Sequence, residues 1–399
     1  MALGKPLELA AYAKTARSTD RFAAVEQRVD QLRFGLFGEV GGLLAALKKV
    51  SRDDLLETDT QVAAEEIGDA LWYLFAIADA LNVSVDALGT SCLRTLRVRL
   101  NECDRATPAP LTFRQIDGLV AVHPRCEAER NLLLGELAKT SGELVHSSLT
   151  PAEDQSSPEC QALSNLLALM ALVSSTFRLP LEHIAEANLK KIIGRWPGKD
   201  PVYTDLFDNG FLPHEQIPRE LQIRFIERGD PKTGYVVQSL RDVYIGDRLT
   251  DNSHEQDDYR FHDVFHLAYA AHLGWSPVIR ALLKVKRKSR QEIDEREDGA
   301  RAMIIEEGIA TWIFNHAKIR EHYEGIAVGK LDYSLLKQVH SMVRGYEVEK
   351  CPLWQWEKAI LEGFSVFREL RKVEHRGGTV KVDMINHTLQ FEPPPKATS

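Results

Sequence analysis

Three acidic residues in the first half of the chain have types and spacing that suit a metal ion. Glu66 and Asp69 lie three residues apart in the segment EEIGD, so a helix places both on one face. Glu39 belongs to the preceding amphipathic segment, and antiparallel packing of the two helices brings it alongside. Converging carboxylates repel one another unless a cation neutralises them, and hard oxygen ligands suit Mg²⁺ or Mn²⁺. We therefore predict a divalent-cation site that also binds phosphates.

A second group, in the C-terminal half, combines histidines with acids. His262 and His266 lie four apart, the spacing at which a helix aims two imidazoles in one direction, and Asp263 lies between them. Glu306 and Glu307 interrupt an otherwise apolar helical segment, and a carboxylate there could complete a two-histidine, one-carboxylate site. The alternative is a polar helix face with locally hydrogen-bonded histidines. We predict a second divalent-metal site here, and the pattern is not the HExxH of zinc proteases.

Helices must position these residues, and helical periodicity dominates the first half of the chain. Apolar residues recur at helical spacing over residues 36–49. A second helix is predicted from before residue 65 to residue 81, and Ser84 or Asp86 is placed to cap a third. These helices carry the three acids.

Beyond Pro197 the hydrophobic pattern changes, and short segments in which apolar and polar residues alternate appear among the predicted helices. Residues 222–227 and 234–239 have the pattern of a β-hairpin, as do residues 378–391. The sequence thus predicts a mainly α protein with small β-hairpins in its second half. The predicted parts are residues 1–103 and 104–198 as two helical repeats, 199–391 as a mostly helical C-terminal domain, and 392–399 as a disordered tail.

The N-terminal half contains a weak internal repeat. A shift of 96 residues places Glu66 and Asp69 on Ala162 and Asn165. Conversely, Asn188 and Lys191 fall on a cysteine and a threonine of the first copy. One copy keeps the acids and the other keeps the amide and the base, so we predict an intrachain pseudo-dimer with one composite site.

Three segments resemble the MazG-type all-α nucleoside triphosphate pyrophosphohydrolases over residues 8–198. They are residues 36–49, which contain GEVGG and end in KK, the segment EEIGDALWYL and the segment NLKKIIGRWP, of which EEIGDALWYL is the most specific. The resemblance implies a Mg²⁺-dependent hydrolysis of a nucleoside triphosphate to the monophosphate and pyrophosphate. It implies metal and catalytic roles for Glu39, Glu66 and Asp69. It implies nucleotide binding by Asn188, Lys191 and Arg195. Lys48 and Lys49 are further candidates for a phosphate contact, and the alternative is that this helix-end pair is only solvated. The HDxxH segment is similar to a C-terminal module that accompanies some members.

One position departs from the family pattern. The second acid of the family's ExxE motif is Gly42 here, which leaves three carboxylates of four. Two outcomes follow: a one-metal or slower enzyme, or a domain that binds nucleotide without hydrolysing it. We predict the enzyme, a hydrolase of phosphoanhydride bonds. The alternatives are a hydrolase centred on the C-terminal HDxxH motif with a nucleotide-sensing N-terminal half, and a non-catalytic nucleotide-binding regulator.

The charge, the cysteine content and the apolar runs of the sequence argue against several classes of partner and environment. The 399 residues carry a formal net charge of -8, which argues against nucleic acid held by charge alone. Five cysteines without a CxxC pair give no disulfide framework. No apolar run approaches the length of a membrane span, and the N-terminus lacks the apolar region of a secretory signal. We expect a cytoplasmic protein with a nucleoside triphosphate substrate, no membrane partner, and self-association into a homo-oligomer.

Overall fold

The chain divides into two compact units, Met1–Ile193 and Gly194–Ser399. A computed structural model describes residues 4–53, 58–103, 106–123, 127–152, 157–229 and 234–394. The predicted mainly α class is confirmed, because the described elements of the first unit are helices and helices outnumber strands in the second, which has one small sheet. Residues 395–399 of the predicted tail lie outside the described residues, and Glu392 ends a strand.

The first unit is helical throughout its described elements. Its helices are α1 (Leu9–Thr19), α2 (Arg28–Arg52), α3 (Asp59–Ala80), α4 (Val85–Leu100), α5 (Phe113–Ala121), α6 (Glu127–His146), α7 (Pro158–Thr176) and α8 (Leu181–Arg195). Helix α2 packs against α3 and α6, and α7 packs against α3, α4 and α6. The two hairpins α2–α3 and α6–α7 therefore form the centre of the bundle.

Side-chain caps fix where α3, which carries Glu66 and Asp69, and the following helix α4 begin. Thr58 and Gln61 form a reciprocal capping box at the start of α3, which satisfies backbone N–H groups that have no intrahelical partner. Ser84, one of the two predicted caps, accepts a hydrogen bond from the backbone N–H of Ala87 at the start of α4. Helix α3 buries an almost continuous apolar stretch, including Leu71 and Leu74, so its orientation in the bundle is strongly fixed.

The second unit contains a five-stranded antiparallel sheet of order β3-β2-β1-β4-β5. The strands are β1 (Glu220–Arg228), β2 (Tyr235–Leu240), β3 (Val243–Leu249), β4 (Thr379–Asp383) and β5 (Thr388–Glu392). The predicted hairpins correspond to β1–β2 and β4–β5. The sequence reading missed β3, and it missed that β1 pairs with β4 and so joins both hairpins in one sheet.

Helices complete the second unit. They are α9 (Asp263–Leu273), α10 (Pro277–Leu283), α11 (Gln291–Arg296), α12 (Ala300–Lys318), α13 (Tyr333–Met342) and α14 (Leu353–Leu370). Helices α9 and α14 pack on each other and on the β4–β5 side of the sheet. Every residue of α9 is buried, so α9 forms the centre of this unit.

Among the described helices, no single one is both long and apolar enough to cross a membrane. By length and composition only, Pro158–Thr176 passes together with Leu181–Arg195, from which it is bent by 103°. Helix α7 is an apolar core helix of the bundle, with Leu166, Leu167 and Leu169 fully buried. Burial in a protein core produces the same composition as a membrane span.

Candidate functional site

The three predicted acids lie together where α2 packs on α3. The carboxyl groups of Glu39 and Glu66 are hydrogen-bonded to each other. Asp69 is close enough for its negative charge to raise the pKa of both. Burial, together with the charges of Asp69 and Glu66, raises the pKa of Glu39 to about 7. Burial and the neighbouring acids also raise the pKa of Glu66. Such mutual repulsion is what a bound divalent cation relieves.

Helix α8 supplies an amide and an ammonium group to the same cluster. Asn188 donates from Nδ2 to Oδ1 of Asp69 at 2.9 Å, and it is almost completely buried. Lys191 Nζ donates to Oδ2 of Asp69 and reaches Oε1 of Glu65 at 3.3 Å. The structure therefore brings five sequence-predicted residues together inside the first unit, from α2, α3 and α8.

Two tyrosines belong to this cluster, and the sequence reading missed both. The hydroxyl of Tyr12 donates to Oδ1 of Asn188 at 2.8 Å, so a chain of hydrogen bonds runs from Tyr12 through Asn188 to Asp69. Burial raises the pKa of Tyr73 to about 12, and the charges of Glu39 and Asp69 add to it. Tyr73 belongs to the segment EEIGDALWYL, so its closeness in sequence to Asp69 could have indicated that it lies at the cluster. No local pattern could have indicated Tyr12, because its partner Asn188 lies 176 residues away.

Glycines on α2 allow the close approach that forms the cluster. A Cβ atom on Gly35 would lie 2.2 Å from the ring of Tyr73. A Cβ atom on Gly42, the position that lacks the family's acid, would lie 2.6 Å from Oε2 of Glu66. The Glu66 carboxylate thus occupies the space into which a side chain at residue 42 would extend.

Three predicted nucleotide-binding residues have other surroundings than the acid cluster. Lys48 and Lys49 are exposed near the end of α2, about 14 Å along the helix from Glu39 at 1.5 Å per residue. Arg195 is 2% exposed and forms a buried ion pair with Glu357 in the second unit, while its guanidinium also donates to the carbonyl of Leu331. A buried guanidinium needs a carboxylate partner, so Arg195 is committed to the core of the second unit.

The histidine-containing group is assembled in the second unit. His262, Asp263 and His266 are buried, and each offers a ligand atom such that these atoms lie within 4.8 Å of one another. Glu307 reaches the cluster from α12, with Oε2 at 3.3 Å from Nε2 of His266 and 3.8 Å from Nε2 of His262. Burial lowers the pKa of His266, but the carboxylates of Glu306 and Glu307 outweigh it and raise that pKa well above its usual value.

Glu306 has a different position from the one predicted. Its Oε1 accepts from Nδ1 of His266 at 2.8 Å, on the far side of the ring from Nε2. Oε1 also accepts from the Ser276 hydroxyl at 2.6 Å, and Oε2 accepts from the backbone N–H of Val278 at 2.8 Å. Because these donors occupy its oxygens, Glu306 orients His266, whereas Glu307 faces the Nε2 atoms.

Comparison with protein families matches residues 202–395 to the model of the MazG C-terminal domain. This match supports a MazG-associated C-terminal domain and indicates a role related to nucleotide pyrophosphohydrolysis. It includes the histidine group and does not extend over the acid cluster of the first unit. Comparisons with curated proteins and with solved structures gave no match.

Proposed function

We propose that the first unit hydrolyses a nucleoside triphosphate to the monophosphate and pyrophosphate. The observation that carries the proposal is the convergence of Glu39, Glu66 and Asp69 with the cationic Lys191 in one cluster. Carboxylates and an ammonium group held together are the parts that a metal-assisted phosphoryl reaction requires. The family match of the C-terminal residues agrees with nucleotide chemistry.

The donor set fits Mg²⁺ or Mn²⁺. Glu39, Glu66 and Asp69 offer hard carboxylate oxygens, and three such ligands leave positions for water and substrate phosphates. A bound ion there would polarise the phosphoryl oxygens and make its water more acidic. Gly42 removes a fourth carboxylate, which favours one tightly bound ion over two.

The chain's own groups have distinct parts in this reaction. Asn188 and Lys191 engage both oxygens of Asp69 and so fix its carboxylate. Glu39 in its ionised form, when it shares no proton with Glu66, accepts the proton of the attacking water. The ammonium group of Lys191 offsets the negative charge that develops on the leaving pyrophosphate. Glu65 holds Lys191 from the other side at 3.3 Å.

The test is a product analysis with matched variants. The protein is incubated with Mg²⁺ or Mn²⁺ and a panel of ribo- and deoxyribonucleoside triphosphates, and pyrophosphate is resolved from phosphate. We expect pyrophosphate and monophosphate from at least one substrate. Asp69→Asn should lower kcat/KM by roughly 100-fold or more, because it removes a metal ligand. Asp86→Asn, an exposed acid on α4, is the matched control and should change the rate little.

Two results would contradict the proposal. Pyrophosphate release that survives Asp69→Asn but is lost in His262→Phe would move the chemistry to the second unit. Absence of turnover with every nucleotide, together with nucleotide-dependent thermal stabilisation, would make the first unit a non-catalytic nucleotide-binding domain.

A further inference from the structure

We propose that the second unit binds one first-row transition-metal ion through His262, Asp263 and His266, with Glu307 as a fourth ligand. Glu306 holds His266 from behind and does not contact the ion. The inference concerns a separate unit and does not depend on the activity of the first.

The spacing of the ligand atoms is the first argument. At metal–ligand distances near 2.1 Å, tetrahedral geometry separates ligand atoms by about 3.4 Å. Nε2 of His262 lies 3.3 Å from Oδ1 of Asp263. Oε2 of Glu307 lies 3.3 Å from Nε2 of His266 and 3.8 Å from Nε2 of His262. These separations fit ligands around one ion.

Hydrogen bonds behind the cluster fix the tautomer of both histidines. Nδ1 of His262 lies 2.9 Å from the carbonyl oxygen of Tyr259, and a carbonyl only accepts, so the proton is on Nδ1. Nδ1 of His266 likewise faces the carboxylate of Glu306, which already accepts from Ser276. In the neutral rings both Nε2 lone pairs therefore point into the cluster, as in carboxylate–histidine–metal arrangements.

One incompletely satisfied polar atom and one carboxylate oxygen face the same space. Nε2 of His266 is fully buried and forms no well-aligned hydrogen bond within the part of the chain that the structure describes, although Oε2 of Glu307 lies 3.3 Å away. Gln238 donates to Oδ2 of Asp263 at 2.8 Å, which leaves Oδ1 turned toward His262. A buried polar atom without a well-aligned hydrogen bond costs free energy, and a metal ion that accepts the lone pair of Nε2 would remove that cost.

The ligand chemistry selects the class of metal. Two imidazole nitrogens with carboxylates suit Zn²⁺, Fe²⁺ or Mn²⁺, whereas Mg²⁺ prefers oxygen ligands and water. Glu307 is the exposed member of the set, with 44% of its side chain accessible, so an ion here would be reached from the Glu307 side. The stacked ring of Tyr259, at 4.4 Å from that of His262, covers another side.

The experiment measures metal binding by the full chain in an Asp69→Asn background, so that the acid cluster of the first unit is the same in every sample. Protein that has been freed of metal with a chelator, and then of the chelator, is titrated with Zn²⁺, and separately with Co²⁺ as a spectroscopic probe. We expect about one equivalent of tightly bound ion and visible Co²⁺ absorption from nitrogen and oxygen ligands. His262→Phe keeps the ring stacked on Tyr259 but removes the nitrogen ligand, and it should abolish both signals.

His254→Phe is the matched control, because His254 is exposed and close in sequence. It should bind the ion like its parent. Folded His262→Phe protein, verified by circular dichroism, that still binds one equivalent would overturn the proposal. If His262→Phe does not fold, the Glu307→Gln variant is used instead, because the partly exposed side chain of Glu307 tolerates the change. An affinity for the metal ion at least about tenfold weaker supports the site. An unchanged affinity overturns it.

Discussion

At the scale of single residues, the most informative position of the first unit is Asp69. Both of its carboxylate oxygens are engaged, one by Asn188 and one by Lys191, and Asn188 is in turn held by Tyr12. A carboxylate fixed in this way is preorganised and loses little conformational freedom when it binds an ion. Under the proposed function, Tyr12 is therefore a positioning residue that acts through Asn188.

Removal of the Tyr12 hydroxyl tests this chain of hydrogen bonds. Tyr12→Phe keeps the ring, which packs edge-on against Phe75 at 5.0 Å and Phe113 at 5.4 Å. We expect a loss of about 1 kcal/mol in the free energy of unfolding, because the buried Asn188 oxygen loses its donor. We also expect kcat to fall with little change in KM. An unchanged kcat in a destabilised protein would show that Tyr12 is only structural.

Gly42 gives a prediction at the same scale, with two variants that control for each other. Gly42→Ala adds a Cβ that displaces the Glu66 carboxylate, and it adds no ligand. We expect weaker Mg²⁺ binding, measured by the Mg²⁺ concentration that gives half-maximal rate, although the helix itself gains about 1 kcal/mol in propensity. Gly42→Glu should bind Mg²⁺ more tightly than Gly42→Ala and turn over faster than the parent. No gain over Gly42→Ala would mean that residue 42 does not face the metal.

At the scale of secondary structure, α8 carries Asn188, Lys191 and Arg195 about one turn apart, yet they serve different purposes. The first two contact Asp69 in the first unit. Arg195 pairs with Glu357, and both side chains are almost completely buried. Spacing along a helix predicts which residues can act together, but the nearest buried opposite charge decides where a guanidinium is held.

The same substitution at two positions of α8 separates these roles. Lys191→Met should lower kcat/KM for the nucleotide, because it removes the cation beside the phosphates, and it should leave stability largely unchanged. Arg195→Met leaves Glu357 buried without its partner and should cost roughly 3–5 kcal/mol in unfolding free energy. Denaturant titration and steady-state kinetics on each variant check this. The reverse pattern would place Arg195 at the nucleotide.

At the scale of the whole molecule, two units with separate cores each carry a candidate cation site of different chemistry. The first unit offers only carboxylate oxygens, from Glu39, Glu66 and Asp69, whereas the second offers imidazole nitrogens as well. The formal charge of -8 is thus partly a consequence of acids concentrated at these sites. We expect a hard cation such as Mg²⁺ to bind to the first unit and a borderline cation such as Zn²⁺ to bind to the second.

Metal-dependent stability tests this division. An ion present at 100 times its Kd stabilises the unit that binds it by about 2.7 kcal/mol. We expect Mg²⁺ stabilisation to disappear in Asp69→Asn and Zn²⁺ stabilisation to disappear in His262→Phe, as measured by thermal unfolding after chelation. In the double variant, the losses should add within about 0.5 kcal/mol, because the sites lie in different units. A loss of both effects in either single variant would contradict independent sites.

The sequence by itself determined the helical class, a cap of α4, both hairpins and the residue types of both clusters. These features depend on periodicity and on neighbours within a few residues, which a sequence displays directly. The three-residue spacing of Glu66 and Asp69 was enough to predict that one helix face carries both. The four-residue spacing of His262 and His266 predicted their common direction in the same way.

Only the tertiary structure decided which long-range partner each side chain meets. It placed Tyr12 on Asn188, committed Arg195 to Glu357, and distinguished Glu306 behind His266 from Glu307 in front of it. It also joined the two hairpins into one sheet. Adjacent glutamates are equivalent in a pattern, but they point about 100° apart on a helix, and the packing of α12 against α9 and α10 selects which of the two faces the imidazole nitrogens.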